Sequence, residues 1–136
     1  MATAKRELAI AALATRMGAI RNPYPQDYDD APMIGLIEGD EVVASRDYDD
    51  VLITASITLE GINRYDEDAN RATVANALLA SLISTALGSD PTLGGTAENL
   101  QYTGGATLFS DTGSALVGAV ARFDLTYRQV GGDPYS

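Results

Sequence analysis

The feature that most constrains this chain is a long run of strict alternation near its C-terminal end. Ala115, Val117, Ala119, Ala121, Phe123, Leu125 and Tyr127 fall on one face of an extended chain, and Leu116, Val120, Arg122, Asp124, Thr126 and Arg128 fall on the other. A period of two sends successive side chains to opposite sides of a strand, so one face suits a core and the other suits water. A second run repeats the pattern: Val51, Ile53, Ala55, Ile57 and Leu59 alternate with Leu52, Thr54, Ser56, Thr58 and Glu60. Two such strands commit the chain to a sheet with one covered face. At ~3.3 Å per residue the C-terminal run reaches about 46 Å, well beyond the usual five or six residues. That length predicts a strand that passes its own core and meets another subunit.

Two stretches of helical spacing supply the cover. Residues 3–20 read as an amphipathic helix, with Ile10, Leu13, Met17 and Ile20 in register, Thr3 as its cap and Asn22-Pro23 as its end. Residues 66–87 read as a second helix. Asp66, Glu67 and Asp68 place negative charge at its start, and Gly88 with Pro91 marks its stop. Val74, Leu78 and Leu82 form one row, and Ala75, Leu79, Ile83 and Leu87 the adjacent one, a broad stripe for the sheet. The opposite side carries Asn76, Ser81, Ser84 and Thr85, and no charged residue lies between Arg71 and Asp90. Water-facing helix surfaces ordinarily carry charge, and this one is too polar for lipid, so the pattern predicts a protein partner. A helix sandwiched inside its own domain is the alternative.

The remaining elements are short. Residues 23–32 are a loop rich in proline and aspartate. Met33–Ile37 and Glu41–Ser45 read as two short strands around a hairpin turn at Glu38-Gly39-Asp40. Leu100–Thr103 and Thr107–Phe109 read as one strand interrupted by a bulge at Gly104-Gly105, and Asp111-Thr112-Gly113 turns the chain into the long strand. Residues 131–136 are expected to be a disordered tail. Together these predict a single α+β domain over residues 1–130. Its sheet is mostly antiparallel with a long C-terminal hairpin, and its two principal helices pack on one side. A chain of 136 residues is long enough for one core, burying roughly 68% of the surface its unfolded form exposes.

Composition argues against catalysis. There is no cysteine and no histidine, which removes disulfides, thiolate zinc sites, the usual general base and the common nucleophilic triads. One string, Asp111-Thr112-Gly113-Ser114, matches the catalytic segment of aspartic peptidases, in which two carboxylates share a proton. A dimeric peptidase using Asp111 is therefore a distant alternative. Only 23 residues follow Gly113, too few for the rest of such a fold, and a glycine-bearing hairpin loop accounts for the string. The tetrapeptide Asp-Tyr-Asp-Asp occurs at 27–30 and at 47–50, but neither copy has the spaced ligands and closing glutamate of a calcium loop. No catalytic, cofactor-binding or metal residue is assigned, and no cofactor is expected.

The net charge of −10 is unevenly spread. Residues 1–21 hold four basic side chains against one acidic, and residues 22–136 hold five against eighteen. The acidic body repels the phosphate backbone, so general duplex binding is not expected. The basic first helix is suited either to the acidic body of a neighbouring subunit or simply to solvent. No window is long and apolar enough for a membrane span. These surfaces nominate Arg16, Asn76, Ser81, Ser84, Arg122 and Arg128 as subunit-interface residues.

The element order and local wording also carry a resemblance. A basic helix ends in IRNPYPQ, an alternating strand feeds the helix ANALLASLISTALGSDPTLGG, and LQYTGGATLFSDTGSALVGAVARFDLTYR closes the pattern. Over most of residues 5–128, least from Asp27 to Asp50, the chain resembles the phage tail terminator family of long-tailed bacteriophages. The resemblance implies a minor tail protein of the virion. It implies a homohexameric ring that caps the tail tube, ends its polymerisation and completes the tail for head-tail joining. The implied partners are further copies of the chain, the tail tube protein and a head-side connector protein. DNA would pass through the lumen without specific binding, and no membrane is involved. The implied location is the virion tail, with the host cytoplasm during assembly. Another head-tail connector or a tube subunit is the nearest alternative, and a host-side adaptor that binds one partner is a third.

Overall fold

The computed structural model describes residues 3–24, 27, 31–64, 70–109 and 116–136. The elements in order are α1 (Lys5–Met17), β1 (Ile20–Arg21), β2 (Met33–Asp47), β3 (Asp50–Arg64), α2 (Arg71–Leu87), β4 (Asn99–Phe109) and β5 (Leu116–Val130). The five strands form one sheet in the order β1-β2-β3-β5-β4. Every pairing is antiparallel except β1 with β2, which is parallel and two residues long. The fold is α+β, as the alternating runs and helical stretches predict.

The two alternating runs lie at the centre, paired with each other from Asp50↔Val130 to Arg64↔Leu116. Their odd-numbered residues form the covered face: Val51, Ile53, Ala55, Ile57 and Leu59 on β3 and Val117 through Tyr127 on β5 are all buried. Ala9, Ile10, Leu13 and Met17 of α1 and Leu82 and Ala86 of α2 close over them. Gly61 is what lets α2 sit close. A Cβ there would stand 3.0 Å from Leu78 Cδ1 and 3.3 Å from Leu82 Cδ1, so a larger residue requires those leucine side chains to give way.

The structure corrects several expectations. The first helix stops at Gly18, not at Asn22-Pro23. Gly18 adopts φ 63°, and its amide and that of Ala19 close onto Thr15 and Ala14 carbonyls. Ile20 therefore leaves the helix and stands half-exposed in β1. The cap position is Ala4 with no side-chain cap, so Thr3 does not serve. The second helix starts at Arg71, where the Asn70 side chain accepts from the amides of Ala72 and Thr73; residues 66–69 lie outside the described residues. Glu38-Gly39-Asp40 is not a turn. It is a bulge inside the fifteen-residue β2, and the chain reverses instead at Tyr48-Asp49, with Tyr48 at φ 53°. The second Asp-Tyr-Asp-Asp copy is thus a hairpin turn. The break in β4 does occur, as a register shift between Tyr102 and Gly104.

Two length predictions also change. β5 does not pass its own core: β3 pairs with it over all fifteen residues, and β4 flanks it from Val117 to Thr126. Residues 131–136, expected to be disordered, turn back on the strand end. Asp133 bridges to Val130, and the Pro134 carbonyl accepts from the Lys5 amide at 2.8 Å, tying the end of the chain to α1.

Candidate interaction surfaces

The sheet has an open face opposite the helices, carrying the even-numbered positions of β3 and β5. Thr54 and Thr126 hydroxyls meet at 3.0 Å across the two strands there. Arg122 stands exposed between Val120 and Asp124 on the same face. Toward the end where β3 finishes and β5 begins, the face becomes apolar. Ile62, Leu108, Leu116 and Gly118, with Glu60 beside them, line a hollow of about 220 Å³.

On the far side of the domain lies the back of α2. Asn76, Ala77, Ala80, Ser81, Ser84 and Thr85 are exposed, and Ser84 Oγ donates to the Ser81 carbonyl at 3.4 Å. Arg71 is the one charge of α2, and it lies on the sheet side, its guanidinium 5.2 Å from the Phe109 ring centroid, so the back itself carries no charge. Small side chains permit close approach of a second backbone, and no charge has to be desolvated along four turns.

The six nominated interface residues separate into three places. Asn76, Ser81 and Ser84 share the α2 back. Arg122 lies on the open sheet face, as does Arg128, which bonds Asp50 at 2.8 Å and Glu98 at 3.0 Å. Those two carboxylates hold the Arg128 guanidinium firmly in its charged form. Arg16 is turned inward. Its Nη1 donates to the carbonyls of Ala86 at 3.0 Å, Leu87 at 3.3 Å and Asp90 at 2.7 Å, satisfying the C-terminal end of α2 from another helix. It is a capping residue of this chain.

Arg6 and Arg21 of the first segment are also engaged internally. Arg6 donates to Glu41 at 2.8 Å and to the Gly39 carbonyl at 3.1 Å. Arg21 forks onto Glu7 and reaches Glu38 at 3.0 Å, while the Asn22 side chain exchanges hydrogen bonds with the Glu38 carboxylate and amide. The hydrogen bond from Arg21 holds the Glu7 carboxyl below its ordinary range. At the other side of the network Tyr127 donates to Glu41 at 3.2 Å, and burial, reinforced by that carboxylate, pushes the phenol up to about 12. The network clamps α1 and β1 onto the bulge of β2. The basic segment is complementary to an acidic body, and the body is its own.

Asp90 is fixed by its own loop: the Thr92 hydroxyl, then the Gly94 and Thr92 amides, hold its carboxyl below the usual range. No group of three or more metal-ligating side chains occurs among the described residues. Asp111-Thr112-Gly113-Ser114 lies outside them, as does most of the first acidic tetrapeptide. No helix among the described residues is long and apolar enough to cross a membrane. Compared with family models and with curated proteins, the chain matches none.

Proposed function

We propose that this chain is a structural, non-catalytic subunit of a phage tail. Six copies form a ring that caps the tail tube, stops its growth and offers the surface to which the head-side connector joins. The observation that carries this reading beyond the sequence resemblance is the contrast between the charge of −10 and the charge-poor back of α2. A strongly acidic protein repels its own copies nearly everywhere, so a broad exposed surface without carboxylates is where copies approach at least cost. Supporting it, the distribution of charge suits an acidic lumen through which DNA slides without adhering. In the virion the subunit would belong to the tail, having assembled in the host cytoplasm.

A connector or tube subunit would share most of these features, and tube growth separates them. Adding the purified chain to polymerising tail tubes is expected to narrow their length distribution and halt elongation. Tubes that grow unchanged would remove the terminator reading, and tubes that incorporate the chain along their length would replace it with a tube subunit.

A further inference from the structure

Most of this domain is held by burial, but the short segment after α1 is held by charge. Past Gly18 the chain runs along the edge of β2 for two residues, pairing Ile20 with Gly35 and Arg21 with Leu36. Ile20 is 43% exposed, and no residue from Ile20 to Asn22 belongs to the buried core. What fixes the segment is polar. Arg21 forks onto Glu7 of α1 and reaches Glu38 of β2 at 3.0 Å. The Asn22 side chain donates to the Glu38 carboxylate at 2.7 Å, and the Asn22 amide donates to the Leu36 carbonyl at 2.7 Å. We propose that residues 20–22 are an ionically latched strap over the edge of β2, which opens as a unit while both helices and the rest of the sheet stay folded. The strap is independent of the ring reading.

Three observations set it apart from the core. The latch lies within reach of salt: the side chains of Arg21, Glu7 and Glu38 keep 29%, 48% and 20% of their accessibility, and ion pairs in contact with water weaken as salt rises. The closed strap also carries a cost. Arg21 Nε is buried with no hydrogen-bond partner among the described residues, a desolvated donor that opening returns to water. Finally, opening strands no charge. Glu38 stays beside Arg6, 3.9 Å from its guanidinium, Glu41 keeps Arg6 at 2.8 Å, and Glu7 is already at the surface. The cap of α1 at Gly18 and Ala19 closes onto Thr15 and Ala14, so it needs nothing from the strap. Few buried contacts and a screened hold place such a segment at the low end of local stability. Among the described residues only β1 pairs with that side of β2, so the open state frees the strand edge from Met33 to Asp47, with main-chain groups of the kind a further strand pairs with.

Hydrogen exchange read by NMR on the full chain tests the latch. The Asn22 amide reports on the strap. The Ala19 amide, which donates to the Ala14 carbonyl at 3.0 Å, reports on the end of α1, and the amides of the β3–β5 pairing report on the sheet. Raising salt from about 0.01 M to about 1 M shortens the reach of surface charges from about 30 Å to about 3 Å. That change is expected to speed exchange at Asn22 at least about tenfold relative to the other two reporters. Arg21→Gln at low salt is expected to do the same, and Lys5→Gln, which removes one positive charge from outside the latch, is expected to leave Asn22 unchanged. If Arg21→Gln does not fold, Glu7→Gln and the salt series on the unaltered chain take its place. Exchange of Asn22 in step with the β3–β5 amides would overturn the strap, since the segment would then open only with the whole domain. Separate exchange that responds neither to salt nor to the loss of Arg21, or that responds equally to Lys5→Gln, would overturn the ionic latch.

Discussion

The two faces of the same sheet differ in what they ask of the chain. On the covered face, the odd positions from Val51 to Leu59 of β3 and from Val117 to Tyr127 of β5 are buried and dominated by apolar side chains, with Phe123 at 1% exposure against the Tyr102 ring. On the open face, even positions of the same strands mix threonine, arginine, aspartate and a few aliphatics around a shallow hollow. One backbone register serves both, since a strand cannot change one face's alternation without flipping the other. The difference teaches that packing and exposure are separately encoded: the covered face holds the domain together, and the open face, like the α2 back, leaves its side chains at least partly exposed.

Mutations that respect this division should separate the two properties. The largest loss is expected from Phe123→Ala, about 3–5 kcal/mol in urea unfolding, because an aromatic ring leaves a cavity that neighbouring strands cannot close. Arg16→Ala comes next, at about 1–2 kcal/mol, since two carbonyls at the end of α2 and that of Asp90 just beyond lose their charged donor. A loss as large as that of Phe123→Ala would show that Arg16 supports more of the helix layer than its end. Arg122→Ser on the open face should change unfolding by less than about 0.5 kcal/mol. If instead it destabilises like a core change, the open face is part of the domain's stability and the division fails.

The smallest effect is a dependence on pH. Glu7 has its carboxyl lowered from an ordinary value of 4.5 by the Arg21 hydrogen bond, so its contribution is present above that value. It is lost as pH falls through the lowered value, when the folded carboxylate takes up its proton. The urea midpoints of the unaltered chain and Glu7→Gln should therefore differ most near neutral pH and draw together as the pH falls progressively below 4.5. A difference that does not shrink on acidification would show that the Arg21 pair acts through shape alone.

How much of this was legible in the sequence follows from how far each signal reaches. The central strands were legible because one face is buried along nearly their full length, and the apolar stripe of α2 was legible for the same reason. The edge was not. Residues 39–47 of β2 are exposed on both faces, so no alternation marks them, and Glu38-Gly39-Asp40 has turn composition while serving as a bulge. The real reversal at Tyr48-Asp49 has no glycine to announce it, and β1 is too short to leave a period. Of the nominated interface residues, Asn76, Ser81 and Ser84 do share one exposed surface. The internal role of Arg16 was not legible because nothing local reveals that the end of α2 rests beside α1. Likewise Arg6 and Arg21 are committed to Glu41, Glu7 and Glu38 through long-range pairing that composition alone cannot assign.

The central claim is that copies of this domain gather at the end of a tail tube. Native mass spectrometry of the chain, alone and released from tube ends after incubation, counts those copies directly. The account predicts six copies per tube end, with no copies along the tube wall. Tube ends that carry none, together with a chain that stays monomeric in solution, would contradict it.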